Sequence, residues 1–177
     1  MATEWKGTVH VDAPVAEVYD YLADFSRLPE WDETVTKVKV EDDGEADGTG
    51  AKWRTYERLS SLKSDRDRKP VFDLENNVGV AMREVRELVP GQRVAWHSYM
   101  MPRIGITSDC RFELTGGPNG TDVTFFVKMN VISVIDTLAK KVFRSLEDKQ
   151  EGQWQRSLEA IKTRLEAPVG QPVGAAV

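Results

Sequence analysis

From Val80 to Val131 the chain passes through four successive stretches in which apolar side chains recur at every second position, and from Val134 onward the spacing lengthens to three and four. A period of two belongs to a strand with one covered face and a period near 3.6 to an amphipathic helix, so any fold of this chain must place a run of strands before one long helix. The clearest strand sets Ile106, Ser108, Cys110, Phe112 and Leu114 against Thr107, Asp109, Arg111 and Glu113. Val123, Phe125, Val127 and Met129 give the next strand the same one-sided character. The intervening turns are Pro90-Gly91, the Met101-Pro102 region and the cluster from Gly116 to Gly120, all rich in residues that accept turn dihedrals. The helix is expected over about Val134 to Glu166, with Leu138, Val142, Leu146, Trp154, Leu158, Ile161 and Leu165 as its stripe, broken by Lys149, Gln150, Gly152 and Gln153.

Upstream, Thr8 to Val11 alternate as a strand, with Val9 and Val11 on the face of Trp5 and Gly7. Asp12 is suited to cap a helix and Pro14 to sit in its first turn, and Val15, Val18, Tyr19 and Leu22 form the apolar stripe. Asp24 can cap a second, shorter helix through Leu28 and Trp31, interrupted at Pro29. A strand over Thr34 to Val40 follows, with Thr36, Val38 and Val40 opposing Val35, Lys37 and Lys39. After an acidic, Gly-rich turn, Trp53, Thr55 and Glu57 oppose Lys52, Arg54, Tyr56 and Arg58 on another strand. Residues 60–78 show no clear period; they hold either a short strand around Val71 to Leu74 or a mobile flap.

The chain has 177 residues, 40% of them hydrophobic and 30% charged, which suits one domain, expected over 1–166, with a Pro- and Gly-rich tail over 167–177. Its apolar runs fall short of the ~20 residues that span a bilayer, and Glu4 and Lys6 interrupt any leader, so a cytoplasmic location without integral membrane association is expected. A single cysteine excludes an internal disulfide, and two histidines, His10 and His97, give no metal cluster; neither a metal nor a cofactor is expected. A net charge of −5 argues against nucleic acid as a partner. The expected assembly is a monomer or a homodimer.

Three segments, DAPVAEVYDYLADFSRLPEW, VRELVPGQRVAW and GTDVTFF, resemble the START-like, Bet v 1-like superfamily, and within it the polyketide cyclase/dehydrase and lipid-transport branch. The resemblance covers about residues 4–166. It implies an α+β helix-grip fold: a curved antiparallel sheet of about seven strands wrapped around a long C-terminal helix, with two short helices after the first strand. It further implies a cavity between sheet and helix that takes a hydrophobic or amphipathic small molecule such as a lipid, polyketide or aromatic metabolite.

Strand parity nominates the lining: Trp53, Met82, Leu88, Trp96, Ser98, Ile106, Phe112, Phe125 and Val127 from the strands. Leu28 and Trp31 join from the short helices, and Val142, Leu146 and Trp154 from the long one. Simple core packing is the competing role for each. Glu84 and Arg86 share a face with Met82 and Leu88, opposite Arg83, Val85, Glu87 and Val89. An inward Arg86 would need Glu84 or a ligand oxygen as partner, because an unpaired buried charge is very costly; the alternative is a solvated, charged strand.

Aromatase/cyclases of the superfamily carry an inward arginine on this strand, which makes Arg86 the candidate catalytic residue, with Ser98 or Tyr56 as a supporting hydroxyl. They also carry a tryptophan and a tyrosine where this chain has Leu28 and Val35, a departure that weighs against cyclase chemistry. His10 and His97 are expected to face outward and Cys110 to act as a small buried hydrophobe. The favoured expectation is therefore a small-molecule binder rather than an enzyme. A polyketide aromatase/cyclase or dehydratase is the alternative, and a co-chaperone-like interaction module the third reading.

Overall fold

The computed structural model describes residues 2–58, 78–101, 106–131 and 152–167. Among the described residues seven strands form one antiparallel sheet: β1 (Ala2–Val11), β2 (Val35–Asp42), β3 (Lys52–Arg58), β4 (Val78–Val89), β5 (Arg93–Met101), β6 (Ile106–Gly117) and β7 (Gly120–Val131). Their order in the sheet is β1-β7-β6-β5-β4-β3-β2, so β1 and β2 lie at opposite edges. The chain that joins them must cross the sheet, and it does so as α1 (Val15–Ala23), a turn of 3-10 helix (Phe25–Arg27) and α2 (Leu28–Trp31). These carry Val18, Leu22, Phe25, Leu28 and Trp31 into the core. The last helix, α3, spans residues 152–166. Sheet, two short helices after the first strand and C-terminal helix make up the expected helix-grip fold.

The start of α1 departs from expectation. Pro14, extended at φ −59° and ψ 143°, occupies the cap position, and no side chain caps the helix. Asp12 lies too early to do so, because the turn that donates from the Ala13 amide to the Val11 carbonyl at 2.8 Å intervenes. Its carboxylate instead stands 3.3 Å from His10 Nε2, and its amide donates to Glu166 Oε1 at 2.9 Å. Asp24 does cap the 3-10 turn, accepting from the Ser26 amide at 3.1 Å. Pro29 belongs to the first turn of α2 rather than interrupting it, where its missing N–H is no loss.

Strands β5, β6 and β7 follow the expected parity. Val94, Phe112 and Val123 are wholly buried, and Trp96, Phe125 and Val127 nearly so. Two strands do not keep a single parity, and each carries a register shift. On β2 the shift lies between Val35 and Lys37, so Val35 is buried and Val38, three residues on, also packs against the core. On β4 it lies between Val85 and Glu87, so the inner face takes Ala81, Arg83 and Val85 before the bulge and Leu88 beyond it. A bulge adds one residue to one strand and swaps the faces of everything past it.

The last helix seats Leu158 and Ile161, both fully buried, against the core, and Trp154 packs on Trp5 with ring centroids 5.4 Å apart. Gly7 makes room for this. A Cβ there would stand 3.0 Å from Leu158 Cδ1 and would collide with the folded-over Trp5 ring. The expectations for residues 134–151, for the apparently aperiodic stretch 60–77 and for the tail beyond 167 lie outside the described residues.

Candidate functional site

A row of polar side chains crosses the middle of the sheet's inner face. Directly opposed positions on antiparallel strands share a face, and the register places Trp53, Arg83, Ser98, Ser108 and Met129 side by side across β3, β4, β5, β6 and β7. Arg83, Ser98 and Ser108 are all buried, at 7%, 4% and 4% exposure. One step along the strands the inner face turns apolar again, with Val85, Trp96, Cys110, Val127 and Trp5 in register.

A guanidinium so deeply buried needs partners, and Arg83 has two. Its Nη2 donates to Asp32 Oδ2 at 3.0 Å and to Glu57 Oε1 at 3.1 Å. Burial alone would loosen its proton; the two carboxylates more than reverse that and hold it above the usual arginine range. The carboxylates are themselves tied down. Asp32 Oδ1 accepts from Thr34 Oγ1 at 2.6 Å, from the Thr34 amide at 3.2 Å and from Gln153 Nε2, on α3, at 3.4 Å. Glu57 Oε1 accepts from Thr55 Oγ1 at 3.0 Å. α2, β3, β4 and α3 thus meet at one ion cluster. Two donors beside it, Arg83 Nε and Trp96 Nε1, are buried without a hydrogen-bond partner among the described residues.

Aromatic rings border the polar line. Phe112 and Phe125 stack at 4.5 Å, Trp96 stacks on Phe125 at 5.8 Å, and Phe25 meets Trp96 edge-on at 5.6 Å. Trp31 meets Phe112 edge-on at 5.6 Å, and Trp53 stacks on Phe25 at 6.1 Å. Cys110 adjoins the line with its thiol 3.6 Å from Ser108 Oγ. Burial pushes that thiol up to about 11, and the Ser108 contact and the charge of Arg83 offset this only in part.

Arg86, in contrast, lies on the outer face. Its side chain is 51% exposed, pairs with Glu84 Oε1 at 3.1 Å and donates to the Tyr99 hydroxyl at 3.4 Å. The expectation of an inward Arg86, with Met82 and Glu84 beside it, is corrected by the bulge on β4: the inward arginine is Arg83. Tyr56 likewise lies off the inner face, with the Lys37 ammonium 5.6 Å from its ring. Leu28, Trp31, Trp96, Ser98, Phe112 and Phe125 are buried where the core meets the polar line, while Trp53 and Trp154 are partly buried against the core. Val142 and Leu146 lie outside the described residues. His97 lies on the outer face, 2.6 Å from Asp109, and His10 is exposed beside Asp122 at 2.7 Å. Asp32 and Glu57 are absent from the expected site. Glu57 was signalled by sharing a face with Trp53 and Thr55, but nothing in the local pattern of Asp32 announces a partner on β4.

Residues 2–166 match the model of the family described as polyketide cyclase / dehydrase and lipid transport. The chain belongs to that family. Among solved structures it is similar to the Zhui aromatase/cyclase from Streptomyces sp. R1128, with a TM-score of 0.71, 15% identity and 94% of each chain covered. It is similar also to a START superfamily protein from Mycobacterium smegmatis, with a TM-score of 0.67 and 14% identity over 92% of this chain and 97% of that one. The di-domain ARO/CYC BexL aligns with a TM-score of 0.69 and 15% identity over 94% of this chain, which spans 51% of BexL. At such identities the likeness is one of fold. No functionally curated protein matches the chain. No helix among the described residues is long and apolar enough to cross a membrane.

Proposed function

We propose that the protein binds an aromatic or otherwise apolar small molecule with a polar end. The molecule lies between the inner face of the sheet and the C-terminal helix, its polar end on the line of Arg83, Ser98 and Ser108. One observation carries this reading: a buried polar line, with two orphan N–H donors, bordered by stacked rings. Stability alone gives little reason for it, since well-packed apolar residues usually serve a core as well as a buried ion cluster does. A buried donor without a partner costs roughly 1–3 kcal/mol, a cost that a ligand acceptor removes. Membership of a family that groups cyclases with lipid carriers supports the same reading.

Native mass spectrometry of protein purified without denaturation tests it. The expected result is an adduct of small-molecule mass that is lost on unfolding. Absence of any adduct, together with no quenching of tryptophan fluorescence by naphthalene- or anthracene-based probes, overturns the proposal.

A second reading is a polyketide aromatase/cyclase, in which Arg83 would polarise a carbonyl and stabilise the enolate that attacks a second one. It is supported by the family and by an inward arginine on the strand where the aromatase/cyclase resemblance implies one. The binder is favoured because the candidate bases are badly placed: both histidines lie off the inner face, and the Cys110 thiol is held protonated. Turnover of a poly-β-ketone substrate by the wild type, with a changed product ratio in Arg83→Lys, would establish the enzyme. No turnover in the wild type excludes it.

A further inference from the structure

We propose that Asp32 and Glu57 set the charge selectivity of this inner-face site. By compensating Arg83 they make it a receptor for a neutral hydrogen-bond acceptor, such as a ketone or quinone oxygen, and turn away carboxylates and phosphates. The inference rests on the ligand-binding reading above and adds what that reading leaves open, the charge of the ligand's polar end.

A lone buried arginine would be an anion receptor, its planar fork matching a carboxylate or phosphate. Arg83 is not alone. Its Nη2 already donates to two carboxylate oxygens, at 3.0 Å and 3.1 Å, so one positive charge faces two acidic side chains. An incoming anion would have to displace one of them or settle beside both. Displacement is opposed by the anchors: Thr34 and Gln153 hold Asp32, and Thr55 holds Glu57. Settling beside both is opposed by like-charge repulsion, which the low dielectric of a buried site amplifies.

Beside the cluster two buried N–H groups stand without a partner among the described residues, Arg83 Nε and Trp96 Nε1. Each can only donate, so each calls for an acceptor. The residues that bear them are 7% and 3% exposed, on adjacent strands of the same face. A cation cannot accept from either. A neutral carbonyl oxygen satisfies these donors without adding charge, and the ring edges of Trp96 and Phe112 suit the conjugated system to which such an oxygen is usually attached.

Two probes of similar size and shape, one neutral and one anionic, test this on the full wild-type chain: methyl naphthyl ketone and naphthoate, titrated at neutral pH and followed by quenching of tryptophan fluorescence. The ketone is expected to bind about tenfold tighter or more. In Glu57→Gln, and more strongly in Asp32→Asn/Glu57→Gln, the preference is expected to narrow or invert, because the freed guanidinium then takes the carboxylate. Naphthoate binding as tightly as the ketone to the wild type overturns the charge selectivity and leaves the binding site standing. An unmoved preference in a Glu57→Gln protein with wild-type circular dichroism also overturns it. If neither probe binds the wild type, the ligand-binding reading falls and this inference with it. The wild-type comparison needs no variant, so a failure of the double variant to fold does not shield the proposal.

Discussion

Asp32, which closes α2, and Arg83, in the middle of β4, stand 3.0 Å apart with side chains only 10% and 9% exposed. Their contact ties a helix that crosses the sheet to the strand beneath it. Removal of one partner from a buried ion pair leaves the other charge desolvated and alone, which typically costs ~3–5 kcal/mol. Arg83→Met is expected to lose that much in urea unfolding, since it strands both Asp32 and Glu57. Neutralising the carboxylates as well, in Arg83→Met/Asp32→Asn/Glu57→Gln, should restore most of the loss. A single variant that loses less than ~1 kcal/mol would show that the cluster is not the buried unit described here.

Gly7→Ala is expected to destabilise by ~1–3 kcal/mol, the usual cost of an extra methyl group in a packed contact. The new Cβ would force the Trp5 ring aside and press on Leu158. Near-ultraviolet circular dichroism should change along with the melting temperature, because Trp5 packs against Trp154. Wild-type stability with an unaltered aromatic spectrum would contradict the packing.

Exposed His10 carries a pH signature. Its pKa is raised by the hydrogen bond to Asp122 and by the bond to the Asn119 carbonyl, with desolvation opposing. The folded protein therefore binds this proton more tightly than the unfolded chain does. The stabilisation is complete below the unfolded value of ~6.5 and fades as the pH rises through the higher folded value. NMR titration of the imidazole should show the raised midpoint, and Asp122→Asn should return it toward the unperturbed value. An unshifted wild-type midpoint would refute the pairing.

The thiol of Cys110, pushed up to about 11, should be a poor nucleophile at neutral pH. A thiol-specific disulfide reagent is expected to label native protein on the order of a hundredfold more slowly than a free thiol of pKa ~8.5, and urea should abolish the difference. Labelling of the native protein at the free-thiol rate would rule out the buried, protonated state.

How far the sequence reveals this site is decided by single inserted residues. Ser108, Cys110, Phe112 and Leu114 read correctly from alternation because β6 meets β7 without a register shift. β4 does not read this way. Met82 and Leu88 both look like core residues, and parity drawn through them carries Arg86 inward with them. The bulge between Val85 and Glu87 separates the two, so Leu88 joins the core while Ala81, Arg83 and Val85 take the inner face on the other side of it. Such a bulge has no strong local mark in a stretch where both faces carry arginine and glutamate. Asp32 is hidden for another reason: its partner is 51 residues away, and no periodicity reports a contact across that distance. Asp12 does not cap α1 because a capping side chain is only as good as its position. The chain turns at Ala13 before the helix starts, and an acid two residues ahead of the cap position is spent on His10 instead.

The pairing of β1 with β7 sets Ala2 opposite Asn130, 128 positions further along the chain. Antiparallel hairpins can join β2 through β7 as each strand becomes available, but β1 has no neighbour in the sheet until β7 exists. During synthesis the strand made first must wait for the strand made last. Pairing over so long a separation is slow, because the entropy of closing the loop is lost before the contacts that reward it form. Until then β1 lacks its neighbour in the sheet, and the Trp5 ring lacks Phe125, against which it packs edge-on. β1 is thus left open to chaperones and to misassembly while the rest of the sheet is made, and the sheet takes in its first strand only when its last is in place.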